Sequence, residues 1–425
     1  NGMLSYIEMG EGAFSLKSSI SKTKVNVYKA DNKISLLVEN LLLYEDDECS
    51  ERVFDIVKKA REERTKNSKK IWLIGENLGL SARDNGLSFF EYCMKNKEDV
   101  DAEFYFVTKE ENEDIDALAD YMDNVVFYDS DRHIYLDELS EFYIVSHGVR
   151  DVMPSLYHDK TGKYRKPIIY LQHGIAGMKI FDISNKSYGG SIRKFIVSSE
   201  NEKELFIDNS QFWEDEMVST GLARYDKLTV TEKNDGKYIW IMPTWRDWLV
   251  KSESDFMKSD FYLYYSKVLS DELLINALRD AGQKVVFSLH IEFEKYKPLF
   301  DKFENDVIHI TDMHEVKISK RVKDCSMIAT DYSSIIFDVV YSNKPAVFFQ
   351  FDYELYNKYR GSYVDMKTEL PGVVTYTPES FIEELIRNIN TKFELTEIHK
   401  KNVKRYFDYC DKENSRRIYE SIIEC

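Results

Sequence analysis

The sequence predicts an α/β protein built from two doubly wound domains facing a cleft, with a small β-rich appendage at its start. Three observations carry this. From Lys70 onward, short apolar runs alternate with amphipathic stretches, the pattern of parallel βαβ units. These runs fall into two series, with a join between Gly221 and Asp235. At 425 residues the chain is too long for one ordinary core, and its low Pro (7) and Gly (17) counts argue against long linkers. The expected division is 1–50 for the appendage, 51–228 for the first α/β domain and 229–425 for the second.

The appendage is predicted from alternating segments at 13–16, 24–28 and 34–38, each reading as a strand. The charged stretch Glu51 to Lys69 reads as a connecting helix. The first series then opens with Ile71-Trp72-Leu73-Ile74-Gly75, followed by a helix over Ser88 to Lys95. It continues with strands at 103–107, 124–127, 142–146, 167–171 and 194–198. The second series has strands at 238–243, 284–288, 307–310, 327–329 and 346–349.

Composition removes several functional classes. A net charge of −17 lacks the basic footprint of a general nucleic-acid binder. Local basic clusters still allow an anionic ligand, and one runs through Lys160, Lys163, Arg165, Lys166, Lys179, Lys186, Arg193 and Lys194. The five cysteines are scattered without a C-x-x-C pair, which suits a reducing cytosol and gives no metal framework. No apolar run reaches membrane-spanning length, so a soluble chain, at most peripheral to a membrane, is expected. Asn1-Gly2 ahead of Met3 reads as an added leader or as a cut from a longer chain.

In doubly wound sheets, ligands bind just past the carboxyl ends of strands. Those positions hold Glu76, Ser146-His147-Gly148 and Gln172-His173-Gly174-Ile175-Ala176-Gly177 in the first series. The second series gives Thr244-Trp245-Arg246, Ser288-Leu289-His290 and the turn Thr330-Asp331-Tyr332-Ser333-Ser334. In that last turn two hydroxyls fall where a strand becomes a helix, a place that holds a phosphate or merely caps the helix. His173 stands in a glycine-rich turn and suits a general base for a hydroxyl nucleophile. Arg246 and His290 suit charge stabilisation beside a diphosphate; a surface ion pair of Arg246 with Asp247 or another acid, and a structural imidazole, are the plain alternatives. Walker-type, dinucleotide-fingerprint, G-x-S-x-G and H-E-x-x-H motifs are missing, as is a strand-end Asp-x-Asp. No metal is therefore expected.

Gln172-His173-Gly174, Pro243-Thr244-Trp245-Arg246, His290 and Thr330-Asp331-Tyr332-Ser333-Ser334-Ile335-Ile336-Phe337-Asp338 together resemble the CDP-glycerol glycerophosphotransferase family of teichoic-acid and capsule-polymer enzymes. Asp84-Asn85-Gly86, the segment Thr220 to Asp226, Arg360-Gly361-Ser362-Tyr363 and Leu370-Pro371-Gly372 support the match, which covers roughly residues 70 to 420. The resemblance implies a GT-B fold with the donor held mainly by the C-terminal domain. It implies His173 as the acceptor-activating base, and His290, Ser333 and Ser334 at the donor diphosphate. Asp338 would contact the donor polyol. Gly174, Thr244, Arg246, Ser288 and Asp331 would line the donor site. Arg224 joins them, although its context, Ala223-Arg224-Tyr225-Asp226, departs from the usual Pro-Arg-x-Asp. Asp84, Asn85 and Lys179 are the acceptor-side candidates.

The expected reaction moves an alditol phosphate, glycerol phosphate first and ribitol phosphate second, from CDP-glycerol or CDP-ribitol to an acceptor hydroxyl, with release of CMP and no further cofactor. The acceptor would be polyol-phosphate, lipid-linked or oligosaccharide in nature. The expected location is the cytoplasm, with the inner face of the bacterial membrane as a contact surface. The competing readings are a GT-B glycosyltransferase using a nucleotide sugar and a non-catalytic polymer-binding scaffold.

Overall fold

The structure, a computed structural model, describes residues 7–10, 13–17, 24–30, 33–38, 47–64, 69–98, 101–158, 166–180, 183–210, 212–228, 230, 234–249, 252–313 and 316–424. Packing divides the chain into two compact units, 1–170 with 188–193 and 171–187 with 194–425.

The first unit begins with an antiparallel sheet of β1 (Ile7–Gly10), β2 (Ala13–Lys17), β3 (Lys24–Ala30) and β4 (Lys33–Val38), paired in chain order. The β-rich start therefore has one strand more than the sequence suggested. The connecting helix runs over Asp47–Arg64, and its Val53 and Val57 pack with Ile134 and Leu156 in a small apolar cluster. Five parallel strands follow: β5 (Lys70–Gly75), β6 (Ala102–Thr108), β7 (Val125–Phe127), β8 (Phe142–Val145) and β9 (Ile168–Tyr170). Their order is β9-β8-β5-β6-β7. Trp72, Leu73, Ile74, Tyr143, Ile144 and Val145 are all buried, as expected where both faces of a parallel sheet are covered.

β10 (Ile192–Val197), which the unit boundary cuts, pairs in parallel with β11 (Met217–Ser219). The second unit then forms a parallel sheet of β12 (Tyr238–Ile241), β13 (Val285–Ser288), β14 (Ile308–Thr311), β15 (Cys325–Thr330), β16 (Ala346–Phe349) and β17 (Val373–Thr375). The order is β14-β13-β12-β15-β16-β17. The sequence reading missed β11 and β17, which have three residues each and no periodicity long enough to register.

Helices cover this sheet with apolar stripes. Asp260–Leu269 is capped by the Ser259 hydroxyl, Glu272–Ala281 by the Asp271 carboxylate, and Pro378–Asn390 by Thr377. Gly282 ends the second of these with φ 63°, a left-handed stop that favours glycine. Tyr265, Leu274, Leu278, Phe381 and Leu385 pack on Ile239, Ile241, Phe287, Val347 and Phe349. Each such side chain contributes roughly 1.5–3 kcal/mol by leaving water.

One topological feature recurs. From β5 the chain steps outward through β6 and β7, then returns to the other side of β5 as β8. From β12 it steps outward through β13 and β14, then returns beside β12 as β15. The loops after β5 and β8, and those after β12 and β15, thus flank switch points, where doubly wound sheets open crevices for ligands.

Candidate functional site

In the first unit, Glu76 follows β5 and is fully buried. Its carboxylate accepts the amides of Arg83, Asp84 and Leu87. Burial, then the charge of Asp84, pushes its pKa up to about 8 against those three donors. A Cβ on Gly86 would lie 2.9 Å from Glu76 Oε2, so this close approach requires glycine. Asp84 caps the helix Asn85–Lys95 by accepting the Asn85 amide. Asn85 is itself fully buried, so the structure places this acceptor candidate in the interior.

Across the same switch point, the buried Asp151 accepts the amides of Ser146, His147 and Gly148 on one oxygen and of Leu78 on the other. Burial raises its pKa. One carboxylate thereby ties together the loops after β5 and β8. His147 accepts the Asn77 amide on Nδ1 at 3.1 Å, and its Nε2 lies 3.7 Å from Asp84 Oδ2.

The second unit assembles most of the candidates. Asp331, just past β15, is fully buried and accepts the amides of Thr244 at 2.8 Å and Tyr332 at 2.6 Å. Its other oxygen receives Arg246 Nη2 at 2.9 Å. Arg246 is also fully buried, forks onto Asp352 (Nε 2.7 Å, Nη2 3.0 Å) and donates Nη1 to the Thr244 carbonyl. Burial alone would lower its pKa, but Asp331 and Asp352 outweigh it and raise the pKa. The Tyr332 and Tyr356 rings, stacked at 3.5 Å, flank the guanidinium, and Tyr332 donates its hydroxyl to Asp352. Arg246 and Asp331 therefore lie beneath the turn and fix its shape. The alternative of an ion pair holds with other acids than Asp247, and in the interior rather than at the surface; Asp247 pairs instead with Arg360.

Above them, Ser333 is half-buried and Ser334 exposed. The helix that follows, Ile336–Tyr341, starts at Ile335 with no side-chain cap. The plain alternative, that these hydroxyls serve as a helix cap, does not describe this turn. The Thr244 hydroxyl is shielded and has no hydrogen-bond partner among the described residues. Ser288 is fully buried, shares a hydrogen bond with Thr311 and accepts one from the Trp240 indole. It supports the strand end rather than lining an open surface.

His290 is half-buried and stacks on Trp245 with ring centroids 6.0 Å apart. Its Nδ1 accepts the Glu292 amide, which leaves Nε2 to carry the proton of the neutral ring. Burial lowers its pKa against the pull of Glu292 and Asp331. The side chain is therefore a neutral N–H donor near neutral pH.

The turn bearing His173 is held from two directions. Gln172 adopts φ 60°, rare for a non-glycine residue, and donates its amide to the Ile196 carbonyl. The buried Glu202 accepts the Ala176 amide and both the amide and hydroxyl of Ser198, and burial raises its pKa. From the other direction, Arg224 donates Nη1 to the His173 carbonyl at 3.0 Å while its fork holds Asp338 at 2.7 and 3.1 Å. Asp338, expected at the donor polyol, is thus the buried partner of Arg224. Asp226 secures Arg224 in turn by accepting the amides of Asn414 and Ser415 at the start of the last helix. A Cβ on Gly174 would lie 3.4 Å from Ser334 Oγ, so the His173 turn and the serine turn are neighbours.

Of the basic cluster, Lys160, Lys163 and Arg165 lie outside the described residues. Lys166 is buried and donates to the Glu138 and Ser140 carbonyls, which removes it from any ligand-facing lane. Lys194 donates to the Asp215 carbonyl, while Lys179, Lys186 and Arg193 are exposed. Sequence reasoning missed Asp151, Glu202 and Asp352. Asp352 stands past the end of β16, a strand located correctly but not read for its exit; Glu202 follows the strand-end Ser198 by one helical turn. Among the described residues no group of three or more His, Cys, Asp or Glu side chains could hold a metal ion.

The family profile described as "CDP-Glycerol:Poly(glycerophosphate) glycerophosphotransferase" matches residues 56–424. The minor teichoic acid biosynthesis protein GgaB of Bacillus subtilis (strain 168) is 26% identical over 373 residues, 84% of this chain and 40% of that protein. The teichoic acid poly(ribitol-phosphate) polymerase of Bacillus spizizenii (strain W23) is 24% identical over 359 residues, 79% of this chain and 53% of the polymerase. The chain thus spans about half or less of these relatives. Among solved structures, that of the wall teichoic acid polymerase TagF superimposes with a TM-score of 0.58 at 17% identity, covering 88% of this chain and 97% of that one. At that identity the likeness shows the fold, which is of the GT-B type.

Proposed function

We propose that this chain, which belongs to the CDP-glycerol:poly(glycerophosphate) glycerophosphotransferase family, transfers an alditol phosphate from a CDP-activated donor to an acceptor hydroxyl and releases CMP. The observation that carries this reading is the seating of the exposed Ser334 against the His173-Gly174 turn, within one compact unit. A diphosphate at the serine turn meets hydroxyls from Ser333 and Ser334 and the Nε2–H of His290, all neutral donors that suit oxyanions.

In the transfer, the acceptor oxygen attacks the phosphorus that bears the alditol. The bond from that phosphorus to the CMP oxygen breaks, and CMP leaves with the electron pair. His173 takes the proton of the attacking hydroxyl. Arg224 and Asp338 act as positioning residues by fixing the His173 carbonyl, and Arg246 acts likewise from beneath the turn. The reaction so written requires no metal and no cofactor beyond its co-substrate. Glycerol phosphate is the favoured group and ribitol phosphate the second.

The acceptor is a polyol-phosphate, lipid-linked or oligosaccharide chain of the teichoic-acid or capsule type. Exposed Lys179, Lys186 and Arg193 supply basic side chains for that polyanion or for the inner surface of a bacterial membrane, in keeping with a cytoplasmic enzyme. Among the described residues no helix is long and apolar enough to cross a membrane. The test is a panel of CDP-glycerol, CDP-ribitol and nucleotide sugars, scored for nucleotide release with a poly(glycerol phosphate) acceptor. Release of CMP from a CDP-alditol is expected; turnover of nucleotide sugars alone would overturn the reading.

A further inference from the structure

A run of aromatic rings joins the serine turn to the surface. Tyr332, within the turn, stacks on Tyr356 at 3.5 Å. Trp248 meets Tyr356 in a T-shaped contact at 6.3 Å and stacks on Tyr359 at 5.0 Å, with 22° between the ring planes. Tyr332 and Tyr356 are buried, Trp248 is half-buried and Tyr359 is 60% exposed. The inner two rings flank Arg246 and belong to the support beneath the turn. The outer two have no part in the transfer step above.

Three segments meet at this outer pair. Trp248 follows Arg246 on the loop after β12, and Tyr359 lies in the helix Tyr353–Arg360 after β16. The third is the chain that leaves His173. The Gly177 carbonyl accepts the Tyr363 amide and the Ser362 hydroxyl, and the Ile180 amide donates to the Arg360 carbonyl. A Cβ on Gly361 would lie 2.7 Å from Ile180 Cδ1, so the two segments are in close contact. The base turn, the serine turn and the aromatic pair are thereby tied together within one compact unit.

The chemistry of the patch selects its ligand. An aromatic ring offers a weakly negative face, which attracts the C–H-rich face of a pyranose. Asp247 and Arg360, the sequence neighbours of Trp248 and Tyr359, form an ion pair at 2.9 Å with side chains 52% and 28% exposed. The other Asp247 oxygen accepts the Trp248 amide. Five guanidinium N–H groups and about four carboxylate lone pairs exceed what these contacts use, so the pair can both donate to and accept from sugar hydroxyls. A bare polyol-phosphate chain has no ring face and gains nothing from the aromatic pair. The segment bordering that pair is the one that carries the base, which meets the acceptor, so the ring belongs to the acceptor and not to the nucleotide.

We propose that Trp248 and Tyr359, with the Asp247–Arg360 pair at their rim, bind a pyranose ring of the acceptor, which makes sugar-bearing chains the preferred acceptor class. This rests on the transferase reading for the ring's place in the acceptor, and on the patch alone for its affinity for a sugar.

The test compares synthetic tri(glycerol phosphate) ending in glucose, galactose or N-acetylglucosamine with the same trimer ending in glycerol, by calorimetry without donor and as acceptors for CMP release. At least one sugar-ended trimer is expected to bind roughly tenfold more tightly than the glycerol-ended one. Tyr359→Ala, a change at an exposed position, should reduce that preference to within about twofold and raise the KM of the sugar-ended acceptor about five- to tenfold. Donor KM should move less than about twofold. Tyr359→Phe keeps the ring and should keep the preference, a rescue that a merely structural role for the hydroxyl would not give. Equal binding of all four trimers, or a preference that survives in Tyr359→Ala, overturns the proposal. So does a rise in donor KM as large as that in acceptor KM, which would place the nucleotide on the rings. Should no CDP-alditol yield CMP, the transferase reading fails, and calorimetry still decides the sugar site.

Discussion

At the first switch point Asp151 gathers amides from both flanking loops, Leu78 on one side and Ser146 to Gly148 on the other. At the second, Asp331 gathers Thr244 and Tyr332 in the same manner, but its remaining oxygen meets the buried Arg246. The same device thus staples the same topological position in both units, and the difference lies in its partner. Where an arginine offsets the buried charge, the surface above presents hydroxyls and a neutral imidazole, which suit an anion. At the first switch point no such fork among the described residues meets Asp151, and Asp84 and His147 stand 3.7 Å apart at the loops it ties together.

The largest expected effect breaks the second crevice from below. Arg246→Met leaves the buried Asp331 and the partly buried Asp352 without their guanidinium partner, and should cost about 3–5 kcal/mol of stability in urea unfolding. A loss below about 1 kcal/mol would show that the pair does not carry the turn. Next, Arg224→Ala frees the His173 carbonyl and strands Asp338; kcat should fall at least about tenfold with donor KM nearly unchanged, because the base is misplaced rather than removed. A KM effect alone would instead assign Arg224 to donor binding.

Smaller again, Ser333→Ala with Ser334→Ala should weaken CDP-alditol binding by several-fold to about tenfold per hydroxyl in calorimetry. Stability should move by no more than about 0.5 kcal/mol, since neither hydroxyl caps the helix. Unchanged affinity would remove the serines from the donor seat.

The smallest effect concerns pH in the first crevice. The folded pKa of Glu76, about 8, lies above its ordinary value of 4.5. The folded state therefore retains a proton that the unfolded state has lost across that window. The resulting stability is fully present below the ordinary glutamate range and is lost as pH rises through about 8. Asp84→Asn removes a charge that raises this pKa, so the decline in unfolding free energy between about pH 5 and 8.5 should become shallower than in the wild type. Parallel profiles would show that Asp84 does not act on Glu76.

Much of the architecture was legible because parallel strands buried on both faces are written as continuous apolar runs, as in Ile71 to Ile74 or Val285 to Phe287. The three-residue strands Met217–Ser219 and Val373–Thr375 were not, since nothing distinguishes them from loop without their neighbours. For the site, strand exits led to His173, His290 and the serine turn. They did not reveal which polar groups face outward and which lie beneath. Arg246, Ser288, Asp331 and Asp338 read as ligand contacts by position, yet each is buried on a protein partner. Glu202 and Asp151 were invisible for the converse reason. A buried carboxylate that collects amides looks, in a sequence this acidic, like any surface acid.

The central claim is that the His173 imidazole activates an acceptor hydroxyl against a CDP-alditol seated at Ser333 and Ser334. The most direct measurement is acceptor-dependent CMP release by wild type and His173→Ala, with CDP-glycerol binding followed in parallel by calorimetry. The account predicts a loss of about 10²–10⁴-fold in the rate with donor affinity retained. Near-normal CMP release by the folded variant would contradict it.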